Sequence, residues 1–106
     1  MTWPLLKHAP ESIIYDLDCT RELADGETIT GITSVVADAI TGSTAPTITG
    51  AVVNAVAVTY SYGIAAIGKV IQARIAAGST ATWTIRAIYT TSLGNTRETV
   101  VNLTVD

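Results

Sequence analysis

Residues able to perform acid–base, nucleophilic or metal chemistry are scarce in this sequence. His8 is the only histidine and Cys19 is the only cysteine. A nucleophile needs a base within hydrogen-bond reach, and a single histidine near Pro10 provides no Ser-His-Asp or Cys-His arrangement. Structural zinc takes about four His or Cys ligands, and a lone cysteine is more often a small buried hydrophobe than a nucleophile. We therefore expect a chain that is not an enzyme and that holds no metal and no cofactor.

Carboxylates are the one concentrated group, with six of the nine acidic residues before residue 28: Glu11, Asp16, Asp18, Glu22, Asp25 and Glu27. The segment 16–27 has Asp, Asp and Glu at positions 1, 3 and 12 of a calcium loop. However, Arg21 stands at position 6, where that loop needs glycine, and Ala24 at position 9 offers no oxygen side chain. A glycoside hydrolase would need a cleft between Asp16 and Asp18, of which the sequence gives no sign. We expect a solvated or interface-facing acidic edge that discourages edge-to-edge strand pairing.

Two tyrosines, Tyr60 and Tyr62, are spaced so that an extended chain would place them on one face. If exposed, the pair could stack on a sugar or anchor a protein partner, and the alternative is that both rings fill the core. The glycines show neither a Gly-x-Gly-x-x-Gly nor a Walker spacing, so phosphate binding is not indicated.

The elements that must position these residues are strands, because seven segments alternate apolar and polar residues or are rich in β-branched side chains. They are Ser12–Asp18, 27–36, a strand that begins within 47–49, 52–62, Val70–Ala76, 82–91 and Thr96–Val105. A single helical turn is predicted at 20–24, a loop at 38–46 and a hairpin turn at 92–95. Seven short strands with turn signals about every ten residues predict an antiparallel β-sandwich.

The alternation also predicts which side chains form the core. They are Ile13, Tyr15, Leu17, Ile71, Ala73, Ile75, Trp83, Ile85, Ala87, Tyr89, Val101, Leu103 and Val105. In the segment 52–62 it places Val52, Asn54, Val56, Val58, Tyr60 and Tyr62 on one face. A helix over 51–57 is the alternative there, because alanine is the best helix former. The segment 64–67 is either an edge strand or a covered loop.

The first eleven residues show no periodicity and include Trp3, Pro4 and Pro10. We predict that residues 1–11 form an extended N-terminal arm, which orders only against a neighbour, and that 12–106 form the sandwich domain. The candidate interface residues are Trp3, Pro4, Leu5 and Leu6 of the arm, together with Tyr60 and Tyr62.

Composition limits the partners that this chain can have. A length of 106 residues suits one domain, and 48 % apolar residues exclude a disordered chain. The charged share is 14 %, against a usual value of about 25 %. The six basic residues are scattered, which predicts no nucleic-acid partner, and no stretch approaches the roughly 18 unbroken apolar residues of a membrane span. A surface so poor in charge is typical of permanent interfaces.

Several motifs resemble those of one family when their order is considered. They are KHAPESIIYDLD at 7–18, LADGETI at 23–29, IQARIAAG at 71–78, WTI at 83–85, YTTSLG at 89–94 and Arg97-Glu98. Together they resemble small tailed-phage virion proteins described as fibre–tail adaptor or decoration-like proteins, over most of 7–106 but weakly in 37–68. The chain departs from that pattern where Ala77-Gly78 replaces a glycine pair, where Ala81 replaces a glycine, and where Trp83 replaces a tyrosine. A tyrosine there would offer a hydroxyl, whereas Trp83 offers only its N–H.

The resemblance implies an immunoglobulin-like fold and a non-enzymatic structural role in a phage particle. The expected function is that of an adaptor between tail and fibre or tailspike, and a head decoration protein is the alternative. A carbohydrate-binding sandwich is the alternative from another class. Expected partners are other virion proteins and copies of this chain, with no nucleic acid and no membrane. The protein would be made in the host bacterial cytoplasm and would reside in the virion.

Overall fold

The computed structural model describes residues 5–8, 10–60 and 63–106, which form nine strands and one 3₁₀ turn. The strands are β1 (Leu5–Lys7), β2 (Ser12–Asp18), β3 (Ile29–Ala37), β4 (Thr47–Val53), β5 (Val58–Tyr60), β6 (Gly63–Ala65), β7 (Val70–Ala76), β8 (Ala81–Thr91) and β9 (Thr96–Val105). The 3₁₀ turn, η1, spans Thr20–Glu22. Among these residues no helix has the length and apolar character needed to cross a membrane.

Seven of the strands form two sheets with the order of an immunoglobulin-like sandwich. One sheet has the order β1-β9-β8-β3 and the other β2-β7-β4, while β5 and β6 pair as a separate hairpin. If the seven strands are lettered A to G in chain order, these sheets contain B-E-D and C-F-G, which is the immunoglobulin arrangement. The pairing is antiparallel except between β1 and β9, which are parallel. The predicted all-β, immunoglobulin-like fold is confirmed, with one mixed sheet.

The core lies between the two sheets and follows the predicted alternation. Trp83, Ile85 and Tyr89 of β8 are fully buried and pack with Leu103 of β9 and Ile75 of β7. Burial of each such side chain stabilises the fold by roughly 1.5–3 kcal/mol relative to exposure. The Trp83 indole N–H donates to the Ser79 carbonyl at 3.0 Å, so the polar atom of this large buried ring is satisfied.

The segment 52–62 does not form the predicted strand, nor the alternative helix. Strand β4 ends at Val53, the chain turns at Asn54, and a new strand begins at Val58. Val52 is exposed and Asn54 is buried, so the two side chains do not share a face. The cause is a change of direction at Asn54, which sends the chain into the β5–β6 hairpin before it returns along β7. The segment 64–67 contributes part of β6 and the return to β7.

The N-terminal segment also differs from the predicted arm. Over Leu5–Lys7 it is ordered by pairing within the same chain and not by a neighbouring subunit. These residues form β1, with Leu5 paired to Leu103 and Lys7 to Val105 of the same chain. Lys7 is fully buried, and its Nζ donates to the His8 carbonyl at 3.0 Å. Parallel pairing with the last strand gave no signal in the sequence, because the three residues are too few to show a period.

Candidate functional site

The two described interface residues of the N-terminal segment have different environments. Leu5 is half-buried against the core, whereas Leu6 has 56 % of its surface exposed. The Tyr15 hydroxyl donates to the Leu6 carbonyl at 2.7 Å, which joins β1 to β2 at the side of the sandwich. Trp3 and Pro4 lie outside the described residues. Leu6 is therefore the member of this group that the structure shows to be available to a partner.

Tyr60, another residue of the predicted interface, belongs to a different part of the molecule. The backbone of Tyr60 pairs with Gly63 in the β5–β6 hairpin, while the Tyr60 side chain and all of Tyr62 lie outside what the structure describes. The hairpin precedes Val70, which is paired with Asp18 at the last residue of β2. Leu6 lies at the other end of the strands, because β1 runs parallel to the last residues of β9. The predicted interface is thus divided between opposite ends of the sandwich, and glycan binding by the tyrosines stays a prediction.

Three connections meet at the end of the sandwich that carries the hairpin, and we call this end the loop end. Thr28 lies at its centre, because its amide donates to the Ser92 hydroxyl and its carbonyl accepts from the Ser92 amide, at 3.0 and 2.8 Å. The next amide, of Ile29, donates to the Gly68 carbonyl at 2.8 Å. A Cβ at Gly68 would approach the Thr28 side chain to 3.0 Å, so the loops are closely packed. The loop end comprises the connections 19–28, 54–69 and 92–95.

Asn54 organises the connection from β4 to β7. Asn54 is 2 % exposed, and with the described residues its side chain forms five hydrogen bonds, each to a backbone group of this connection or of the first residue of β7. The amide nitrogen donates to the carbonyls of Val56 and Ala66 at 2.8 and 3.0 Å, and the amide oxygen accepts from the N–H groups of Gly68, Lys69 and Val70 at 3.0, 3.1 and 3.0 Å. A buried side chain that forms hydrogen bonds with backbone groups at both ends of a connection favours one conformation of that connection. Sequence reasoning missed this role, although a lone asparagine among valines and alanines was a signal for it.

Glu27 links the first connection to the third. Its carboxylate is fully buried and accepts from the Thr91 hydroxyl at 2.5 Å, the Ala24 amide at 2.9 Å and the Asn95 side chain at 3.0 Å. Arg97 forms an ion pair with it at 3.1 Å. These donors, with Thr91 and Ala24 contributing most, lower the pKa of Glu27 to about 2. The prediction that Glu27 lies on a solvated acidic edge is therefore wrong. Its side-chain partners Thr91, Asn95 and Arg97 are distant in the sequence, so no local pattern indicates its burial.

Apolar side chains project from this closely packed end. Val56, Ile64, Ile67 and Leu93 are each between 59 and 72 % exposed. The first three belong to a stretch, 39–68, that contains no acidic, basic or histidine residue. Isolated exposed apolar residues are ordinary, but several of them on one uncharged loop cluster are typical of an interaction surface. We call the exposed side chains of Val52, Val56, Ile64 and Ile67 the uncharged surface.

A shallow open groove of about 250 Å³ lies next to Val52, on the outer face of the β2-β7-β4 sheet. The lining residues are Ile14, Thr49, Gly50, Val52, Gln72 and Arg74. The groove lies at a β-bulge in β4. Thr49 pairs with Arg74 and Val52 pairs with Gln72, so two residues of β4, Gly50 and Ala51, stand opposite a single residue of β7. Gly50 takes a left-handed conformation with φ of 64°, which is typical of a bulge that begins with glycine. The groove borders the uncharged surface at Val52 and carries one charged residue, Arg74.

A group of polar side chains at Cys19 is the closest approach to a reactive arrangement. The Cys19 thiol lies against the side chains of Thr99 and Tyr89, and Glu22 of η1 lies against Tyr89. Burial raises the pKa of Cys19 to about 11 and also raises the pKa values of Tyr89 and Glu22. A thiol with a raised pKa is a poor nucleophile at neutral pH, because the thiolate is the reactive form. This arrangement therefore favours packing over catalysis.

The carboxylates of the calcium-loop pattern point to different partners. Asp16 accepts from the Gln72 side chain at 2.9 Å, and Asp18 accepts from the Thr20 hydroxyl at 2.6 Å, while Glu27 is engaged with Arg97. Among residues 5–8, 10–60 and 63–106, no group of three or more His, Cys, Asp or Glu residues could hold a metal ion.

Comparisons with known proteins add no relative to this description. No family model matches the chain, and no curated protein and no solved structure matches it either.

Proposed function

We propose that the chain is a structural component of a phage virion that works by protein–protein contact, as an adaptor between the tail and a fibre or tailspike. The observation that carries this proposal is the loop end, where uncharged, apolar side chains project from a closely hydrogen-bonded base. Asn54 and Glu27 fix the backbone that presents them. A preorganised surface loses little conformational entropy when it binds, which suits a permanent assembly contact.

The architecture supports a role in which the fold is a scaffold for connections. Immunoglobulin-like sandwiches present loops at their two ends, and one end is the binding end in variable domains. Here the connections 19–28, 54–69 and 92–95 form one such end, and exposed Leu6 lies near the other. An adaptor needs two docking surfaces, and these two regions provide candidates at opposite ends. The order of motifs given above is the further support for a phage particle as the setting.

The test is whether the protein is part of a particle. We expect genes for portal, capsid or tail proteins beside the gene for this chain, and we expect the chain in purified particles at a fixed copy number, measured by quantitative mass spectrometry. Location at the tail by electron cryomicroscopy would support the adaptor role, and location on the capsid shell would replace it with the decoration role. Absence of the chain from purified, infectious particles would refute both.

A docking variant tests the loop end within that experiment. Ile64→Glu places a carboxylate on the exposed face of β6, and we expect it to lower incorporation into particles without unfolding the chain. Val100→Glu is the control, because Val100 is also an exposed aliphatic residue, at 44 % against 72 % for Ile64, but lies on the outer face of the four-stranded sheet. Equal incorporation of the two variants would contradict a role for the loop end.

A further inference from the structure

We infer that the Asp25–Gly26 peptide is a site of spontaneous covalent modification, at which Asp25 isomerises to a β-linked aspartyl residue, and that this change releases the turn from Glu27. The first observation is the dipeptide itself. Asp25 is the only aspartate or asparagine in the sequence that a glycine follows. Glycine has no Cβ, so the Gly26 nitrogen is open to approach by the Asp25 carboxyl group. This chemistry is the same whether or not the chain belongs to a virion.

Asp25 and Gly26 are the central residues of a turn that Ala24 and Glu27 close. The Glu27 amide donates to the Ala24 carbonyl at 3.0 Å, and Gly26 has a φ of 76°. Asp25 does not have a positive φ, and this combination defines a type II turn. Both central residues are exposed, and a Cβ at Gly26 would meet no described atom within 4 Å. The central peptide therefore lies at the surface, in open space on the glycine side.

Ring closure requires the Gly26 nitrogen to reach the Asp25 Cγ atom, and a rotation of the central peptide brings the two together. The first central residue has a ψ of about 120° in a type II turn and about −30° in a type I turn, so a flip of this peptide interconverts the two types. The closing hydrogen bond is common to both. Among the described residues, neither the Gly26 amide nor the Asp25 carbonyl forms a hydrogen bond that the flip would break. The folded chain therefore reaches the reactive geometry without unfolding.

The reaction balances with water as the only co-reactant. The Gly26 nitrogen attacks the side-chain carboxyl carbon of Asp25, a C–N bond forms, and one carboxyl oxygen leaves as water with the amide proton. Water then adds to the five-membered cyclic imide. Opening at the main-chain carbonyl leaves the chain running through the Asp25 side chain, and opening at the other carbonyl regenerates aspartate. Nothing is oxidised or reduced, and the mass of the chain is unchanged.

The β-linked residue lengthens the backbone by one methylene group inside the turn. Turn closure is what places the Ala24 amide on the Glu27 carboxylate, at 2.9 Å. Glu27 is fully buried and is also held by Thr91 and Arg97 from the other side of the loop end. The longer chain is therefore accommodated on the exposed Ala24 side, and the Ala24 amide loses its acceptor.

Prolonged incubation of the full chain at neutral pH, followed by digestion and electron-transfer mass spectrometry, tests the site. We expect at least about tenfold more β-linked residue at position 25 than at Asp16, Asp18 or Asp38, because the residue after each of these carries a Cβ that hinders attack. The same chain incubated in urea shows that the product is detectable when no turn restrains the peptide. Absence of the product from the folded chain, with the product present in urea, would overturn the inference.

The matched variant is Asp25→Glu, which keeps a carboxylate at this exposed position but would have to close a less favourable six-membered ring. We expect its product to fall to the level found at the other aspartates, and an undiminished amount would place the modification elsewhere in the chain.

Hydrogen exchange of the separated isomerised fraction tests the consequence for Glu27. Amides within 24–28 should exchange faster than in fresh chain, whereas those of Val70–Ala76 should not change. Unchanged exchange within 24–28 would show that Glu27 keeps its hold on the turn and would contradict the inferred release.

Discussion

Removal of the Asn54 side chain should destabilise this fold, because five hydrogen bonds of the β4–β7 connection depend on it. In Asn54→Ala the five side-chain hydrogen bonds disappear, but their partners differ in what they lose. The carbonyls of Val56 and Ala66 belong to exposed residues and regain water, and the Gly68 amide keeps a longer bond to the Asn54 carbonyl at 3.3 Å. The Val70 amide is buried and loses its acceptor.

The magnitude follows from this inventory. A buried donor left unsatisfied costs about 1–3 kcal/mol, and each hydrogen bond that water replaces costs roughly 0.5–1.5 kcal/mol. We therefore expect Asn54→Ala to lower the free energy of unfolding by about 3 kcal/mol. With a urea slope of about 1–1.5 kcal/mol/M, which is typical of small proteins, the midpoint should fall by about 2–3 M.

Urea unfolding followed by circular dichroism measures this change, and Asn102→Ala is the matched control. Asn102 is exposed on the outer face of β9, so its replacement should change stability by less than about 0.5 kcal/mol. A loss below about 1 kcal/mol for Asn54→Ala would refute the reasoning. So would a change confined to faster hydrogen exchange within 54–69, because it would show that the connection opens independently of the sandwich.

Three further predictions concern buried groups. The folded pKa of Glu27 is about 2, against an ordinary value of 4.5, so its ionised form adds stability above pH 4.5 that is lost as pH falls toward 2. Glu27→Gln should therefore flatten the stability–pH profile between these two values, as measured by thermal unfolding. Trp83→Phe removes the hydrogen bond to Ser79 and leaves a void, so we expect a loss of about 2 kcal/mol in urea unfolding, and an unchanged midpoint would contradict the assigned packing. Cys19 should react with Ellman's reagent at pH 8 far more slowly in the folded chain than in urea, and equal rates would show that the thiol is accessible.

The structure also changes what an N-terminal truncation would report. Since Leu5–Lys7 form a strand of the sheet and Lys7 is buried, deletion of residues 2–10 removes part of the fold. Loss of assembly after such a deletion would not separate docking from stability. Leu6→Glu is the sharper change for that end of the molecule, because the Leu6 side chain is exposed and only its carbonyl is used within the chain.

Much of the sandwich was predictable from the sequence. The strands at Ser12–Asp18, Val70–Ala76 and Thr96–Val105 have the predicted bounds. The turn at 92–95 joins β8 to β9 as a hairpin, as expected. The alternation around Trp83 and Leu103 placed the right side chains in the core. Burial with a period of two is a local property of a strand against a core, so it is recorded in consecutive residues.

The candidate site was not predictable in the same way. Asn54 occupies a position that fits the alternation of a strand, and its five partners are revealed only when the chain turns back along β7. The described members of the predicted interface, Leu5 and Leu6 on one side and Tyr60 on the other, lie at opposite ends of the sandwich. The prediction also missed Val56, Ile64 and Ile67. The exposure of a side chain depends on which other elements pack against it. A short apolar segment contains no sequence pattern that predicts this packing.

The sequence alone determined an all-β chain of short strands, a Trp83-centred core and an uncharged middle third, because strand alternation and charge are properties of neighbouring residues. Tertiary structure alone decided that β1 joins the last strand, that Glu27 is buried beside Arg97, and that the apolar residues of the β4–β7 connection stay at the surface. These outcomes depend on hydrogen bonds and contacts between residues far apart in the chain. Glu27 and Arg97 are separated by 70 positions, and no local period encodes their meeting.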